Sequence, residues 1–514
     1  MKCNLLINGN IITMDPQTPR VRWVAVDSGK IVYAGNAEPT GFEPQNVLKL
    51  DENNAMLPGF IDSHVHGSDT GLYLSSVKLK GAKSVADVLD IVEERCRNTD
   101  ETLILGMDIS EERLKEGRLP YMWELDTISH GKDVLLNHET LHGSCCNSSF
   151  WNKLPLDLTM PDIERLDDGR FTGLLLDGIP YERTYNYMFQ CIDAEAWFRN
   201  ILAVSEYAFS CGITTIHTLN GNGLKDKLDV RAVLDRQDEV PLHMVQFIED
   251  FDISLAKEHH LKQVGGCLCL DGSRVIHTAA VMEPYADRPE LKGSLYFPDD
   301  MVYQFVHDAH VNHMQSSMHA VGDRAINQLI YAIRRVIMEE GGHDDLRHRI
   351  EHFALPTHEQ IEMAAELGIV CSMQPAFPLL WDIPGKSQYE RVLGLERTKR
   401  CDPIANVVKA GVVVCAGSDS PVTDMNPLKA IDYLVNTDLE HRKLSVNEAL
   451  KLYTVNGAYA GHEEDERGSV TVGKHADFVV LSKDPFVFSK EIKDMEIRMT
   501  ISDGKIVYQA DHTA

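Results

Sequence analysis

The middle of the chain alternates short apolar segments typical of β-strands with longer segments of helical periodicity. CGITTIHTL precedes VRAVLDRQDEV, and HMQSSMHAVG precedes DRAINQLIYAIRRVIMEE. This alternation predicts an α/β fold with a parallel sheet whose strands are joined by crossover helices. Either a doubly wound sheet or a (β/α)8 barrel fits a region of about 400 residues. Because no G-x-G-x-x-G or G-x-x-x-x-G-K-S/T loop follows a strand, the pattern disfavours a nucleotide-binding fold.

Both ends of the chain have the pattern of short β-strands joined by tight turns. VDSGKIVYAG near the start resembles ISDGKIVYQA near the end, which predicts hairpins that turn at residues 27–29 and 503–504. LLINGNIITM predicts a further hairpin, with its turn at residues 9–10. We therefore expect the two ends of the chain to share one small β-domain.

The length of 514 residues suggests two or three domains. We predict that residues 1–55 and 466–514 form the small β-domain and that residues 56–465 form the larger α/β domain. Helical and strand periodicity is weaker within about 75–205, which predicts an insertion there. We expect this insertion to cover the substrate site.

Composition narrows the class of partner. The formal net charge of −28 disfavours nucleic-acid binding, because a negative field repels phosphate backbones. No segment reaches the roughly 18 consecutive apolar residues of a membrane span, and the first residues resemble a strand rather than a signal peptide. Eleven scattered cysteines are typical of a reducing compartment. We therefore predict a cytoplasmic protein that acts on a small molecule, without nucleic acid or membrane as a partner.

Several histidines and one aspartate lie where predicted strands end. MLPGFIDSHVHG carries two histidines at i and i+2, so both rings face one side of the strand. HMQSSMHAVGD, RHRIEHF and VVVCAGSDSP each add one nitrogen or oxygen donor at a strand end. Barrel enzymes keep their chemistry at this edge, and a metal site needs such donors from several strands. The predicted donors are His64, His66, His319, His352 and Asp419.

The spacing of these donors is compatible with barrel geometry, in which one βαβ unit takes about 30 residues or more. His319 and His352 are 33 residues apart, which is one unit, and Asp419 follows His352 by 67, which is two. This places the three residues on strands five, six and eight if His64 and His66 belong to strand one. The 253 residues between His66 and His319 exceed four bare units and require the insertion.

The segments PGFIDSHVH, LDGS, HAVGDRA, RIEH, GSDSPV and GKHADFVVL together resemble the amidohydrolase superfamily. The similarity is to its amidohydrolase-3 branch, which includes YtcJ-like metal-dependent hydrolases and N-substituted formamide deformylases, and it extends over about residues 3–510. The resemblance implies a (β/α)8 barrel with a small composite β-sandwich domain built from both termini. It also implies that the four strand-end histidines bind metal, and that Asp419 is both a metal ligand and the general base.

One departure from the family concerns a lysine that usually stands four residues before the aspartate of the DGS motif. CLCLDGS has Cys267 at this position, and Cys269 shares its strand face one step further along. We predict that Cys267 binds metal as a thiolate, which can bind one ion or bridge two. The alternative is a buried, unreactive Cys267 beside a single metal ion. A family arginine is also replaced, by His277 in GSRVIHTA.

Other candidate residues surround these ligands. Arg349 is expected to pair with a carboxylate in the barrel, and Asp323 to cap the helix that follows it and to order His319. Three further histidines are candidates for substrate contact: His142, His217 and His277.

The predicted function is metal-dependent hydrolysis of an amide-type C–N bond. A bound metal ion lowers the pKa of its water, and Asp419 would act as general base and then as general acid. The ligand types favour one or two Zn²⁺ ions, and Fe, Mn or Co can occupy such sites. The resemblance also suggests a homo-oligomer.

Two other functions compete with hydrolysis. Deamination of an N-heterocycle at a mononuclear site needs a carboxylic acid beside the metal. Glu351 is adjacent to a ligand in sequence, but strand alternation predicts that it points away from the mouth of the site. A catalytically inactive binding protein is disfavoured because five of the six ligand positions have the expected residue types.

Overall fold

A computed structural model of the chain describes residues 2–138, 143–156, 163–176, 184–185, 187–221, 226–341 and 345–510. The chain divides into two compact units. The first comprises Met1–Thr70, Val204–Asn222 and Leu234–Ala514, and the second comprises Gly71–Ala203 and Gly223–Val233. The domain boundaries given above stay a prediction. Within the described ranges, no helix combines the length and the apolar composition that crossing a membrane requires.

Strands from both ends of the chain lie in one eight-stranded sheet of the first unit. Ala55–Pro58 pairs antiparallel with Phe478–Leu481, and this pairing joins the two ends. The sheet buries a core of aliphatic side chains from both ends, including Ile7, Val24 and Ile501. Its strands are Lys2–Ile12, Arg20–Asp27, Lys30–Gly35, Glu43–Lys49, Ala55–Pro58, Phe478–Leu481, Ile497–Ser502 and Lys505–Gln509.

Two of the predicted tight turns are confirmed. Arg20–Asp27 pairs antiparallel with Lys30–Gly35, and Ile497–Ser502 pairs in the same way with Lys505–Gln509. The two linking residues have positive φ in each hairpin, 51° and 77° in the first and 47° and 73° in the second. Hairpins with two-residue type I′ turns need this backbone conformation, which Gly, Asn and Asp adopt most readily.

The hairpin predicted at residues 9–10 is wrong. These residues lie inside the long strand Lys2–Ile12, which pairs with Arg20–Asp27. The register of this pairing shifts between Asn8 and Ile11. The Gly-Asn pair therefore occupies an irregularity within a strand, where an extra residue is accommodated without reversing the chain.

Eight parallel strands of the first unit carry the candidate site. In chain order they are β1 (Phe60–Val65), β2 (Ile213–Asn220), β3 (His243–Ile248), β4 (Gln263–Val264), β5 (Gln315–Ala320), β6 (Arg349–His352), β7 (Val370–Met373) and β8 (Val413–Ala416). They form two parallel sheets, of order β3-β2-β1 and β4-β5-β6-β7-β8. Because the strands within each sheet are parallel, their carboxyl ends lie at one edge.

Hydrogen bonds also link the outer strands of these two sheets. The backbone N–H of Gly265, just after β4, donates to the carbonyl of Ile248 at the end of β3, at 2.9 Å. At the other side, Val65 of β1 forms a parallel bridge with Ser420, just after β8. The carboxyl ends of β3 and β4, and of β1 and β8, are therefore held together.

Helices connect the strands. The helix Asp323–Glu340, which follows β5, buries Ile326, Leu329, Ile330 and Ile333, the spacing of one apolar helical face. The helices are Gly67–Ser75, Val85–Asn98, Met122–Ile128, Ser148–Trp151, Ala194–Ser210, Leu228–Leu234, Ser254–Glu258, Asp299–Val311, Asp323–Glu340, His358–Glu366, Phe377–Trp381, Gln388–Leu393, Leu395–Thr398, Ile404–Lys409, Pro427–Asn436, Val446–Leu452 and Val455–Ala460. Short 3-10 turns lie at Glu111–Arg113, Gln237–Glu239 and Ile492–Asp494.

The second unit contains a six-stranded sheet with its own apolar core. This core combines aliphatic side chains with large aromatic ones, among them Phe150, Trp151 and Trp197. In spatial order the strands are Ile163–Arg165, Phe171–Leu176, Gly143–Cys146, Asp133–His138, Leu103–Ile109 and Val77–Lys78.

Candidate metal centre

His64 and His66 lie at the carboxyl end of β1, with ring centroids 5.3 Å apart. Their i and i+2 positions place both rings on the same side of the strand. Nε2 of His64 lies 3.2 Å from Oδ1 of Asp419, and Nε2 of His66 lies 3.0 Å from the same oxygen. Two imidazole nitrogens and one carboxylate oxygen therefore converge at this point.

Asp419 reaches the two histidines because the chain after β8 passes very close to β1. A Cβ atom on Gly417 would lie 2.5 Å from the backbone nitrogen and the Cβ of His64, so only glycine fits. Two residues later, the backbone N–H of Asp419 donates to the carbonyl of His64 at 2.8 Å. The glycine of the GSD motif thus permits the close approach that brings the carboxylate to the rings.

Cys267 lies between the histidines of β5 and β6. Its Sγ atom is 3.6 Å from Nδ1 of His319 and 3.6 Å from Nε2 of His352. Gly265, at φ 95°, bends the chain after β4 so closely over β5 that a Cβ atom there would lie 2.0 Å from the carbonyl oxygen of Ser317. The structure therefore brings together all six residues predicted as metal ligands.

The second nitrogen of each of the four rings lies near a side-chain oxygen. Nδ1 of His64 donates to Glu351 at 2.6 Å, and Nδ1 of His352 donates to Gln374 at 2.8 Å. Such partners select the tautomer and orientation of a metal-binding imidazole. The two looser pairs are His319 Nε2 with Asp271 Oδ1 at 3.3 Å and His66 Nδ1 with Glu249 Oε1 at 3.8 Å.

This donor set fits a divalent metal ion. Nε2 of His64 and Oδ1 of Asp419 are buried and have no hydrogen-bond partner among the described residues. Polar atoms buried in this way are rare unless another group completes their coordination. Three sets of side chains each bring their donor atoms within 4.8 Å of one another: His64, His66 and Asp419; His64, Cys267 and His352; and Cys267, Cys269 and His319.

Charges around the site keep two of its acids, Asp419 and Glu351, ionised. Burial opposes the charge of Asp419, yet the nearby rings of His64 and His66 hold the pKa of this carboxyl well below its usual value. The pKa of Glu351 is likewise lowered, because Arg349 and His64 outweigh the effect of burial. Burial and the neighbouring His319 and His64 lower the pKa of His352, which keeps this ring neutral, as metal binding requires.

The predicted pairing of Arg349 with a buried carboxylate is confirmed. Nε of Arg349 lies 2.5 Å from Oε1 of Glu351, and both side chains are fully buried. The expectation that Glu351 points away from the site is wrong, since its other oxygen contacts His64. His352 has a φ of 71°, which interrupts the alternation of side chains along the strand. The adjacent residues Glu351 and His352 can therefore both take part in the site.

Two of the three candidates for substrate contact, His217 and His277, pair with other side chains. His217 is fully buried in the middle of β2, where its Nδ1 accepts a 2.7 Å hydrogen bond from Arg349, so its placement lends no support to substrate contact. Nε2 of His277 lies 2.8 Å from Oδ1 of Asp287, in a loop. His142 is outside the described residues. Substrate contact by these histidines stays a prediction.

Asp323 does not order His319, contrary to expectation. Asp323 is the first residue of its helix and accepts a 2.7 Å hydrogen bond from the backbone of Met282. Asp271 of the LDGS segment lies beside the His319 ring instead, and its carboxylate accepts backbone hydrogen bonds of 2.8 to 3.0 Å from residues 280, 321 and 322.

Sequence reasoning missed Glu249, Asp271 and Gln374 as partners of the rings. Glu249 directly follows β3, and Gln374 directly follows β7. A polar residue immediately after a buried strand was the available signal, and it is the same signal that identified the histidines.

A family model and several known proteins match this chain over most of its length. The sequence model of the amidohydrolase family matches residues 52–508. Putative amidohydrolase YtcJ of Bacillus subtilis (strain 168) is 26% identical over 98% of this chain and 98% of its own length. N-substituted formamide deformylase of Arthrobacter pascens is 23% identical over 99% of both chains.

A solved structure has the same fold over nearly the whole chain. It is an uncharacterized metal-dependent hydrolase from Pyrococcus furiosus, with a TM-score of 0.79 and 25% sequence identity. The superposition covers 94% of this chain and 100% of the other. This likeness extends the agreement from sequence to architecture.

Proposed function

The chain belongs to the amidohydrolase family and is a metal-dependent hydrolase, and on this premise we propose that it cleaves an amide-type C–N bond of a small molecule with Asp419 as general base and general acid. The observation that carries the proposal is the position of Asp419 Oδ1, 3.2 Å and 3.0 Å from Nε2 of His64 and His66. A carboxylate at this point can bind a cation and also accept a proton from water beside it.

We propose that the eight parallel strands close into a (β/α)8 barrel that holds the site at its mouth. The hydrogen bond from Gly265 to Ile248 supports closure between β3 and β4. The Val65–Ser420 bridge supports closure between β8 and β1. The sheet shared by both ends of the chain would then be the accompanying β-sandwich domain.

The chemistry follows from the donors. The predicted ligands would hold a divalent cation, which would polarise the scissile carbonyl and lower the pKa of water. They are His64, His66, Cys267, His319, His352 and Asp419. This mixture of nitrogen, oxygen and sulfur ligands favours Zn²⁺. Asp419 is ionised before the reaction, so its Oδ1 accepts the proton of the attacking water. It then donates this proton to the leaving nitrogen, which departs poorly as an anion.

The substrate class rests on similarity and on the site. One relative of full length is an N-substituted formamide deformylase, which supports an amide-type C–N bond. The charge of the protein, −28 overall, disfavours polyanionic substrates. We propose a cytoplasmic, homo-oligomeric enzyme, and the eleven cysteines, all without disulfide bonds, support a reducing compartment.

Deamination of an N-heterocycle is the weaker alternative. It requires a protonated acid next to the metal, and Glu351 is ionised between Arg349 and His64. Burial raises the pKa of Glu249 to about 7, but this carboxylate lies behind the His66 ring, near Nδ1, and accepts the backbone N–H of Cys267. Both acids are therefore engaged with other groups of the protein.

The test combines metal content with product analysis. The zinc-loaded protein is assayed for amine release from N-acyl amino acids and N-substituted formamides, for ring opening of cyclic amides, and for ammonia release from purines, pyrimidines and pterins. We expect amine release, and a loss of about 10²- to 10⁴-fold in kcat for Asp419→Asn with metal still bound. The exposed Asp424→Asn serves as the matched control. Wild-type turnover by metal-loaded Asp419→Asn would refute the role of Asp419, and ammonia release alone would establish the deaminase.

A further inference from the structure

A second thiol, Cys269, lies beside the predicted ligands Cys267 and His319. One donor atom from each of these three residues lies within 4.8 Å of the other two. A parallel β-bridge pairs Cys269 with His319, so backbone hydrogen bonding holds the two residues side by side. The three donors are therefore placed by the fold rather than by a flexible loop.

The His319 ring is oriented for a role in this group. Its Nδ1 faces Cys267 Sγ at 3.6 Å, and its Nε2 lies 3.3 Å from Asp271 Oδ1. Asp271 is itself fixed by the backbone N–H groups of Val321 and Gly322. A carboxylate held behind an imidazole in this way keeps the opposite nitrogen directed at a ligand.

We propose that Cys269 is a further metal ligand, and that Cys267, Cys269 and His319 form a two-thiolate half of the metal centre that takes a thiophilic cation such as Zn²⁺ or Cd²⁺. This inference rests on the metal centre of the proposed function. Thiolates favour soft cations, whereas His64, His66 and Asp419 offer only nitrogen and oxygen to the other half. The two halves of the centre therefore differ in the metals they accept.

A purely structural role for Cys269 makes different predictions. Its Sγ lies 3.3 Å from the carbonyl oxygen of Cys267, a contact that a protonated thiol can make without any metal. A thiol in that role would bind no cation. An alkylating reagent would then modify it equally in metal-free and metal-loaded protein. Coordination, in contrast, deprotonates the thiol and occupies its sulfur.

The first experiment loads the metal-free protein with Co²⁺ and records the sulfur-to-cobalt charge-transfer absorption together with cobalt content. The variants are Cys269→Ala and Cys267→Ala, with Cys96→Ala, buried in the other unit, as the control. We expect Cys269→Ala to lower the absorption by about a third if Cys267 bridges two ions and by about half if it does not. Unchanged absorption of Cys269→Ala at equal cobalt content would overturn only the assignment of Cys269 as a ligand. A wild-type protein that binds no cobalt would overturn the proposed metal centre as well.

A second measurement needs no variant, so it tests the inference even if the Cys269→Ala protein fails to fold. Alkylation of the unmodified protein is followed by peptide mass spectrometry, with and without Zn²⁺. We expect Zn²⁺ to protect Cys269 and to leave Cys191, a similarly half-buried cysteine, unaffected. Equal alkylation of Cys269 in both states, at full zinc loading, would show that it is not a ligand.

Discussion

Glu351 accepts a 2.6 Å hydrogen bond from Nδ1 of His64, and both side chains are fully buried. The same carboxylate accepts a 2.5 Å hydrogen bond from Ser317 and pairs with Arg349. Because Nδ1 of His64 is committed to Glu351, only Nε2 is directed at Asp419. A buried ion pair within β6 therefore sets the tautomer of a predicted metal ligand on β1.

Glu351→Gln is expected to weaken metal binding by about 10- to 100-fold, the usual effect of changing the partner of a metal-binding histidine. The amide still reaches His64 but no longer holds its Nδ1 proton with a negative charge. Arg349 also loses its buried counter-ion, so the free energy of unfolding should fall by about 3–5 kcal/mol. Metal affinity is measured by competition with a chelator, at a temperature where circular dichroism shows the variant folded.

The exposed Glu359→Gln, on the helix that follows β6, is the control for this substitution. It removes the same charge from the protein but touches no ligand. Metal affinity equal to that of the control would mean that Glu351 serves only the fold and does not position His64.

Much of the architecture could be predicted from periodicity and spacing. His64, His319 and His352 lie on the first, fifth and sixth parallel strands, as the spacing predicted, because a βαβ unit has a minimum length. The hairpin at residues 9–10 was wrong, because a Gly-Asn pair suits a bulge as well as a turn and only pairing with the next strand decides between them. Local sequence does not contain that information.

The predicted ligands were visible in the sequence, but most of the side chains that contact them were not. A histidine at a strand end is conspicuous, whereas Gln374 and Asp271 become informative only when neighbouring strands bring them to a ring. Glu351 was misplaced because strand alternation was assumed to continue through His352, whose positive φ breaks it. Backbone conformation at one residue therefore decided which side chains face the site.

Gly417→Ala should damage the site while leaving the rest of the fold in place. The added Cβ would lie 2.5 Å from the backbone nitrogen of His64, so the segment after β8 must move away from β1. The displacement breaks the hydrogen bond from Asp419 to the His64 carbonyl and separates the carboxylate from both rings. We expect lower metal content and about 100-fold lower kcat, since an error of about 1 Å in placement can cost that much.

Gly81→Ala provides the matched control, because a Cβ at Gly81 meets no atom within 4 Å. Both variants are compared by metal analysis, amide hydrolysis and circular dichroism. Full metal content and activity in Gly417→Ala would show that β1 and β8 can separate without loss of the site.

Removal of metal should lower the thermal stability of the protein. Three donor atoms of the site, His64 Nε2, His319 Nε2 and Asp419 Oδ1, are buried and have no hydrogen-bond partner among the described residues. A ligand that binds only the folded state at about 100 times its Kd adds about 2.7 kcal/mol. Chelation should therefore lower the Tm, and Zn²⁺ should restore it.

A double variant, His64→Ala with His66→Ala, is the reference for this measurement. Its Tm should respond less to chelator and to Zn²⁺, because half of the nitrogen donors are gone. An equal response in wild type and variant would place the stabilising metal at a different site.

The buried pair of His310 and His348 should make the free energy of unfolding depend on pH. This effect is separate from any titration of the predicted metal ligands. Nδ1 of His348 accepts a 3.2 Å hydrogen bond from the backbone N–H of Ser316, and its Nε2 lies 2.9 Å from Nδ1 of His310. The hydroxyl of Ser316 also lies 2.8 Å from Nδ1, and both contacts fit a neutral ring whose Nδ1 accepts hydrogen bonds. Burial, reinforced by His310, lowers the pKa of His348 to about 3.

The sign of the effect follows from this lowered pKa. An unfolded histidine takes up a proton near pH 6.5, whereas folded His348 stays neutral until about pH 3, so acid favours the unfolded chain. The contribution is fully present above pH 6.5 and decreases below it, by about 2 kcal/mol between pH 7.5 and pH 5.0. In His348→Gln this part of the pH dependence should disappear, whereas the exposed His358→Gln should keep it. Denaturant unfolding measures the free energy of unfolding of each protein at the two pH values. If this free energy changes equally with pH in all three proteins, the pKa of His348 is not lowered by folding.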